Sequence, residues 1–409
     1  MPRTFPQELI DLVIDEASTS APTLQSCALV SRAFYPRAQY QLFSQIDFVL
    51  VPSTRSHGLE RLHDVLSNSP HLIQYIRSLK ITHGDDKEPL PEDVLVDLEA
   101  TLVPILASLV NLRSFTVTEL DWSCLPPGVR NAIWEVCQRP KLTRLRLKGT
   151  GELSLSELVQ VTASPALTRL DLDLDVAARA AAEDAVPSSA SHLTHLTLSS
   201  PHFDGLTSIY PWIVRGRQES CLRQLCVWWH CETTARLQTL VASSVRLRKL
   251  ILFTTSEFFD AVIRQHRATR LSLAGAAYLQ HICLCLDFNF SSPDAAPFVP
   301  WLADLLHSHG STHTPSALHK ISLLIGPTIT GARPISDGPT AAEWSVLAQV
   351  LTPRRFPYLR EVTFFWAHGA EDEKHPGLAE AFYAAACAGL PRLDAAGILK
   401  WGSKGDGRW

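Results

Sequence analysis

The sequence predicts an α/β protein: a short all-α module at the start, then a curved solenoid of strand–helix units. Three observations predict it. An apolar phrase, Leu-x-x-Leu-x-Leu with other apolar residues allowed, returns ten times in order between Ile76 and Phe364. Helix-compatible runs separate the copies. The residues ahead of the series read as short helices opened by a proline.

The N-terminal segment comes first. Phe5 to Asp15 reads as an amphipathic helix started by Pro6, Ser18 to Thr23 as a polar break, and Leu24 to Phe34 as a second helix. Gln39 to Phe43 closes a third, short turn. A unit spanning residues 1–45 buries little core of its own. Its apolar residues outnumber what three short helices can hide from one another, so some are expected to be covered by a partner.

This segment resembles an F-box. The matching residues are Pro6, Glu8, Leu9, Val13 and Ile14, then Leu24, Cys27, Val30, Arg32 and Phe34. Phe5 stands where the family usually has leucine, and Leu42-Phe43 where it has Leu-Trp. The resemblance covers about a tenth of the chain. It implies binding to a Skp-type adaptor, which bridges to a cullin ubiquitin ligase. The adaptor-facing residues it implies are Pro6, Leu9, Val13, Ile14, Leu24, Cys27, Val30 and Phe34. A helical unit that projects from the array fits that role; one lying flat over the first rung fits a mere cap.

The repeated phrase begins at Ile76, Leu112, Leu142, Leu167, Leu193, Leu222, Leu247, Leu279, Leu318 and Leu359. Phe43-x-x-Ile46-x-Phe48 is a candidate first rung. Intervals from Ile76 onward are 36, 30, 25, 26, 29, 25, 32, 39 and 41 residues. Each copy alternates as a short strand does. Pro91–Leu109, Pro127–Gln138, Ser154–Val161, Thr233–Val241, Ser256–His266 and Thr340–Leu351 are the helix-compatible runs, many led by Ser, Asp or Pro. Strand–helix units at such a period cannot bury their apolar stripes alone, and stacking gives them a continuous core. The array, spanning residues 46–401, resembles irregular leucine-rich repeats of the kind found behind F-boxes in fungal proteins. It departs from that family in mostly lacking the asparagine or cysteine that binds the turn backbone. Leu390 to Trp401 reads as a terminal half-repeat, and residues 402–409 as a loose tail.

If the phrase leucines point inward, the residues between them form the concave face. Its early part is charged: Arg144, Arg146 and Lys148, then Arg169, Asp171 and Asp173. These basic residues are candidates for a phosphorylated peptide, or for pairing with the neighbouring aspartates. The later part carries an apolar column, Trp228, Phe253, Cys285, Leu324 and Phe365, with lysines and His281 as its rim. Trp228, Phe253, His281, Cys285, Leu324 and Phe365 are the candidate substrate-binding residues. The alternative is that loops at Asn289–Val299 or Pro327–Pro339, or the tail, cover the column.

Composition bounds the rest. The 409 residues are 46% hydrophobic and 19% charged, the balance of a folded protein. Thirty-seven basic against forty-one acidic side chains argue against a nucleic-acid partner. No apolar run is long enough for a membrane span, and no signal segment opens the chain, so cytoplasm or nucleus is the expected compartment. Nine cysteines, several inside strand-like runs, suit a reducing one. The spacing of Cys221, Cys226, His230 and Cys231 does not suit zinc, and His307, His309 and His313 read as a solvated loop, so no metal is expected. His281 and Cys283 share a strand face but lack a nucleophile turn, and no phosphate-cradling glycine loop follows any strand. No cofactor and no catalytic residue is expected. The functional expectation is a substrate-recruiting subunit of a Skp–cullin–F-box ubiquitin ligase, binding an unknown protein target. A repeat scaffold unconnected to ubiquitin ligation is the alternative, and a hydrolase built on His281 or His230 with a nearby cysteine the third.

Overall fold

A computed structural model describes residues 5–50, 57–84, 91–154, 164–177, 192–199, 221–229, 234–254, 271–289, 298–309, 316–328, 339–366 and 377–402. The chain divides into two compact units, Met1–Ala190 and Ser191–Trp409. Each is an α/β array of parallel strands, one per repeat, with helices in the connections.

The first unit opens with three helices, α1 Gln7–Glu16, α2 Ala21–Val30 and α3 Tyr35–Ser44. Ser20 caps α2 by accepting the Thr23 N–H, so α2 starts earlier than the apolar pattern predicts and stops at Val30. The expected short turn at Gln39–Phe43 is a full ten-residue helix. Two features extend it: Pro36 in its first turn, and Arg37 and Gln41 one turn apart, both reaching Asp15 of α1. Arg37 Nε and Nη2 donate to the carboxylate at 2.7 and 2.5 Å, and Gln41 Nε2 at 2.6 Å. That fork holds Asp15 below the usual carboxylate range. Ile14, Leu24 and Ala38 form the module's core, with Ile10, Ala17, Cys27, Ala28, Phe34 and Leu42 packed around them.

The third helix runs directly into β1 Gln45–Leu50 and packs against it and against the turn Pro70–Tyr75. Tyr40 meets Tyr75 edge-on, with ring centroids 6.2 Å apart. Helices α1 and α2 pack on α3. Then follow β2 Ser78–His83, β3 Ser114–Thr118, β4 Arg144–Ser154 and β5 Arg169–Ala177, each parallel to the one before. Between them lie α4 His57–Asn68, α5 Glu92–Ser108 and α6 Pro127–Cys137. Strand β4 bulges after Lys148, where a Cβ on Gly149 would collide with the Leu120 carbonyl oxygen.

The second unit holds β6 His195–Leu198, β7 Gln224–Trp228, β8 Lys249–Thr254, β9 His281–Asn289, β10 Lys320–Thr328, β11 Glu361–Trp366 and β12 Leu399–Gly402. They pair in chain order, all parallel. Its helices among the described residues are α7 Thr234–Ser243, α8 Phe298–His309, α9 Ala341–Val350, α10 Leu378–Gly389 and α11 Pro391–Ala395. Trp344 of α9 is fully buried and takes the rings of Phe298, Phe364 and Phe382 edge-on. Gly389 lets α10 approach, since a Cβ there would strike the Trp344 side chain.

All three apolar positions of all ten phrases are buried; Leu359, at 9%, is the most exposed. The missing turn asparagines are replaced by other groups. Arg139 donates to the carbonyls of Leu109 and Leu106 at 2.5 and 2.7 Å, closing the end of α5. Ser164 Oγ donates to the Arg139 and Leu142 carbonyls, and Thr143 and Thr168 to the carbonyls of the preceding rung. These donors add to backbone bonds that most of the same carbonyls already accept, as Arg113 does from Thr143 and Arg144, and so tie each turn to the next rung.

Two expectations need correction. His307 and His309 lie in the last turn of α8, not in a loop, and His309 is buried with Nδ1 3.2 Å from the Leu273 carbonyl. The apolar period of Phe298–Leu306 carries the helix through them. Strands β9 and β10 extend through Asn289 and Thr328, and Phe298 and Val299 are helical, so the late loops are shorter than expected. The segment read as a terminal half-repeat carries α11 and the end strand β12, which pairs with β11 and buries Leu399. The helices expected at Ser154–Val161 and Ser256–His266, as well as His230, Cys231, His313 and the tail beyond Gly402, lie outside the described residues.

Thr340 and Glu343 form a reciprocal capping box at the start of α9. Thr340→Ala is expected to cost about 1 kcal/mol, read as faster amide exchange in α9 with exchange in the first unit unchanged.

Candidate functional site

Strand register in the second unit sorts the face opposite the leucine core into three rows. The first is Gln224, Lys249, His281, Lys320 and Glu361. The second is Cys226, Ile251, Cys283, Ser322, Thr363 and Lys400, and the third Trp228, Phe253, Cys285, Leu324, Phe365 and Gly402. Parallel pairing without slippage makes each row one residue deep per strand.

The rows build a hollow of ≈ 430 Å³ between β8 and β12. Its floor is the middle row: Ile251, Cys283, Ser322 and Thr363, none more than 6% exposed. Small side chains there leave the flanking rows standing higher. One wall is polar, with Lys249, His281 and Lys320. The other is Phe253, Leu324 and Phe365, all half-buried. Lys400 bounds the far end, and Gly402 makes room for the Phe365 ring, which a Cβ would strike.

Five of the six residues predicted for substrate binding therefore line one cavity: Phe253, His281, Cys285, Leu324 and Phe365. Trp228 does not line it, but its ring packs on Phe253 at a centroid distance of 5.6 Å. Cys285 belongs more to the floor than to the wall; with Cys226, Ile251 and Cys283 it forms a small core of its own, against which Phe253 and Leu324 pack. The segments expected to cover the column, 290–297, 329–338 and 403–409, lie outside the described residues. Lys400 and Gly402 were missed by the sequence reading. Their rung is a degenerate copy of the phrase, Ala396-x-x-Leu399-x-Trp401, with alanine in its first place.

The polar wall has definite charge states. Burial, reinforced by the ammonium groups of Lys249 and Lys320, pushes His281 down to about 4, so it is neutral at pH 7. Its Nε2 lies 3.0 Å from Ser322 Oγ. Partial burial works against ionising Glu361, but bonds from Lys320, Thr363 and Lys400 outweigh it and hold the carboxyl at about 2. Those contacts are 2.5, 2.6 and 3.3 Å. Cys283 Sγ lies 3.9 Å from Cys285 Sγ. That contact and burial push the Cys285 thiol far up, so it stays protonated. Among the described residues Lys249 has no acidic partner. Three lysines face one carboxylate, leaving the hollow net positive.

The residues predicted to face an adaptor separate into two sets. Ile14 and Leu24 are at 0% and 2% exposure and belong to the core of the three-helix module, not to its surface. Cys27 and Phe34 pack against that core. Helix geometry explains the division: Ile10 and Ile14, with Ala17 just past the end of α1, centre the inward face, and Leu9 and Val13 lie on the flank next to it, about a quarter turn away. Pro6, Leu9, Val13 and Val30 are exposed. Phe5, Leu12, Leu29 and Tyr35 are exposed beside them in sequence, so seven large apolar side chains between Phe5 and Tyr35 face outward, from 44% at Tyr35 to 89% at Leu29.

Neither a protein-family model nor a curated protein matches the chain. Solved structures similar to the chain at low identity include the following two. A Bacteroides fragilis protein is 14% identical, with 59% of this chain and 68% of that one covered and a TM-score of 0.32. A leucine-rich-repeat protein of Leptospira interrogans is 12% identical, with 78% and 97% covered and a TM-score of 0.21. Scores this low carry nothing about binding. No helix among the described residues is long and apolar enough to cross a membrane.

The depressed His281 and Glu361 values set two pH windows. An unfolded chain protonates His281 near its ordinary 6.5 and Glu361 near 4.5, ahead of the folded protein. Stability is therefore full above pH 6.5, falls between 6.5 and about 4 on account of His281, and falls further between 4.5 and about 2 on account of Glu361. Urea unfolding of the second unit across this range is expected to show the first decline shrink in His281→Gln, with the remainder carried by His309, whose burial also lowers its pKa, and the second weaken in Glu361→Gln.

Proposed function

We propose that the protein is a substrate-recruiting receptor subunit of a Skp–cullin–F-box ubiquitin ligase. The observation that carries this reading is the two-sided N-terminal module. It closes a core of its own around Ile14, Leu24 and Ala38, yet leaves seven large apolar side chains bare, six of them on its ten-residue helices. Scattered exposed apolar residues are ordinary, but this many within thirty-one residues is the composition of an interface. The segment is also the one that resembles an F-box. Each large aliphatic covered by a partner contributes about 1.5–3 kcal/mol. In this role the adaptor seats on Leu9, Val13 and Val30, with Phe5, Leu12 and Leu29 extending the surface. Ile14 and Leu24 act from beneath, holding the two helices in place.

The hollow on β8–β12 is the target site of the same proposal. Its chemistry fits an extended protein segment with a large apolar side chain against Phe253, Leu324 and Phe365, flanked by carboxylates that meet Lys249 and Lys400. The protein itself makes and breaks no bond. It raises the local concentration of target lysines at the transferring enzyme. Cytoplasm and nucleus are the compartments where such an assembly works.

A second reading, a repeat scaffold unconnected to ubiquitin ligation, draws on one observation: α3 is seated on the first repeat, as a cap would be.

Two measurements test these roles. Leu9→Asp combined with Val30→Asp alters exposed positions and is expected to abolish co-purification of a Skp-type adaptor, with circular dichroism unchanged. Adaptor retained by that variant argues for the scaffold. Display of random peptides on the purified protein is expected to enrich sequences pairing an aromatic or large aliphatic residue with Asp or Glu. Lys249→Glu is expected to remove the acidic preference and keep the apolar one; no change in preference rules out the hollow as the peptide site.

A further inference from the structure

The first unit holds a second hollow, of ≈ 510 Å³ and of opposite character, beneath α3 at the N-terminal edge of β1–β4. Its walls carry arginines from three successive rungs. Ser44, Arg77, Arg113 and Thr143 are neighbours across the sheet edge, joined by backbone bonds of 3.0, 2.8 and 2.9 Å. Arg144, one residue on, is in register with Ser114 and Ser78. Among the described residues no carboxylate lines the cavity.

The charges of these arginines stand apart from those around them. Arg37, on the helical wall, is cancelled by its two bonds to Asp15. Further along the strands, Arg146 pairs with Asp171 at 3.1 Å, and Lys148 with Glu119 and Asp173 at 3.4 and 3.8 Å. Of the basic residues singled out in the sequence, these two are thus neutralised. Arg77, Arg113 and Arg144 have no acidic partner among the described residues; Arg77 Nη1 donates to the Asn111 carbonyl at 3.3 Å and the other two reach outward. Three guanidinium groups around one cavity repel one another, and a protein that pairs Arg146 and Lys148 with acids has left these three without them among the described residues. The hydroxyls of Ser78 and Ser114 sit between the arginines and supply neutral donors.

We infer that this hollow is a binding site for a phosphate-class oxyanion carrying two or more negative charges. Guanidinium forks match phosphoryl oxygens two bonds at a time, and three of them offer more donors than one oxyanion has acceptor positions to fill. The hydroxyls add bonds without charge. Two sources carry this chemistry, a small free polyphosphate and a phosphorylated side chain of a bound protein. The inference stands independently of the ligase proposal, because none of its residues belongs to the exposed apolar surface or to the β8–β12 hollow.

Titration calorimetry with inorganic pyrophosphate tests it, at ionic strength held constant with sodium chloride so that general screening is equal throughout. Saturable one-site binding is expected. Arg113→Gln combined with Arg144→Gln, both at exposed positions, is expected to weaken it about tenfold or more. Arg146→Gln combined with Lys148→Gln removes the same charge from paired residues and is expected to change affinity less than about twofold. A phosphoserine peptide that displaces pyrophosphate, where its unphosphorylated twin does not, assigns the site to phosphorylated protein. Failure of that peptide to compete assigns it to a small polyphosphate. Binding no stronger than that of chloride overturns the inference, as does equal loss in the two double variants. Thermal unfolding of each variant separates lost binding from lost folding.

Discussion

The structure depends on one constraint: a strand–helix unit cannot bury its apolar stripe without a neighbour. Each copy of the phrase puts two apolar residues on one side of a strand and a third in the turn just before it, and a single strand has nothing to press them against. Parallel stacking in register solves this, and the solution is strict. A slip of one residue would send Leu145 and Leu147 outward and bring Arg144 and Arg146 inward, which no unit could tolerate. Register therefore holds from rung to rung, and the opposite face inherits the same order. Whatever a strand places at its first, third or fifth position becomes part of a row.

Rows make surface chemistry collective, with both benefits and costs. Like charges in adjacent strands lie close together, and the protein handles them in two ways. Where sign alternates along the row, as in Arg146–Asp171 or Lys320–Glu361, the charges neutralise each other. Lys400 joins Glu361 from the neighbouring row. Where sign does not alternate, charge stays available, as at Lys249 and at Arg77, Arg113 and Arg144. Apolar rows behave likewise. Phe253, Leu324 and Phe365 would be unremarkable singly, but stacking turns them into one wall, and the small side chains of the next row give that wall its depth.

The array was legible in the sequence because its period is written in leucines. Helices were legible where a cap or a proline marks the start, as at Pro127 and Thr340. They were not where a histidine-bearing end masks an apolar helix, as at His307 and His309, or where a helix packs mainly through alanine and aromatics, as between Leu378 and Gly389. The β8–β12 wall followed from alternation alone. Its end did not, since alanine at position 396 weakens the phrase and hides Lys400. The basic hollow was half legible. Arg144 was visible in a rung, but Arg77 and Arg113 sit one position before their strands, where linear alternation assigns no face, and Arg37 comes from a helix. Pairing of Arg146 and Lys148 with acids depended on distances that a sequence does not hold.

The N-terminal module shows how a short segment can carry two interfaces at once. An α-helix of ten residues has about three turns, enough for one apolar stripe on each of two faces. In α1 the Ile10–Ile14–Ala17 stripe is used to hold the module together. The Leu9–Val13 stripe is left over. Folding alone gives no reason for it, because polar residues there would leave the core unchanged and remove the cost of exposing aliphatic surface to water. The same holds for Leu29 and Val30 at the end of α2, past the last residue the core uses. A protein that holds every phrase leucine at 9% exposure or less, and ties its turns together with arginine, serine and threonine, does not lack the means to cover apolar side chains. In the proposed ligase role a second molecule covers that surface, and the division of α1 into an inner and an outer stripe lets it bind without disturbing the fold beneath.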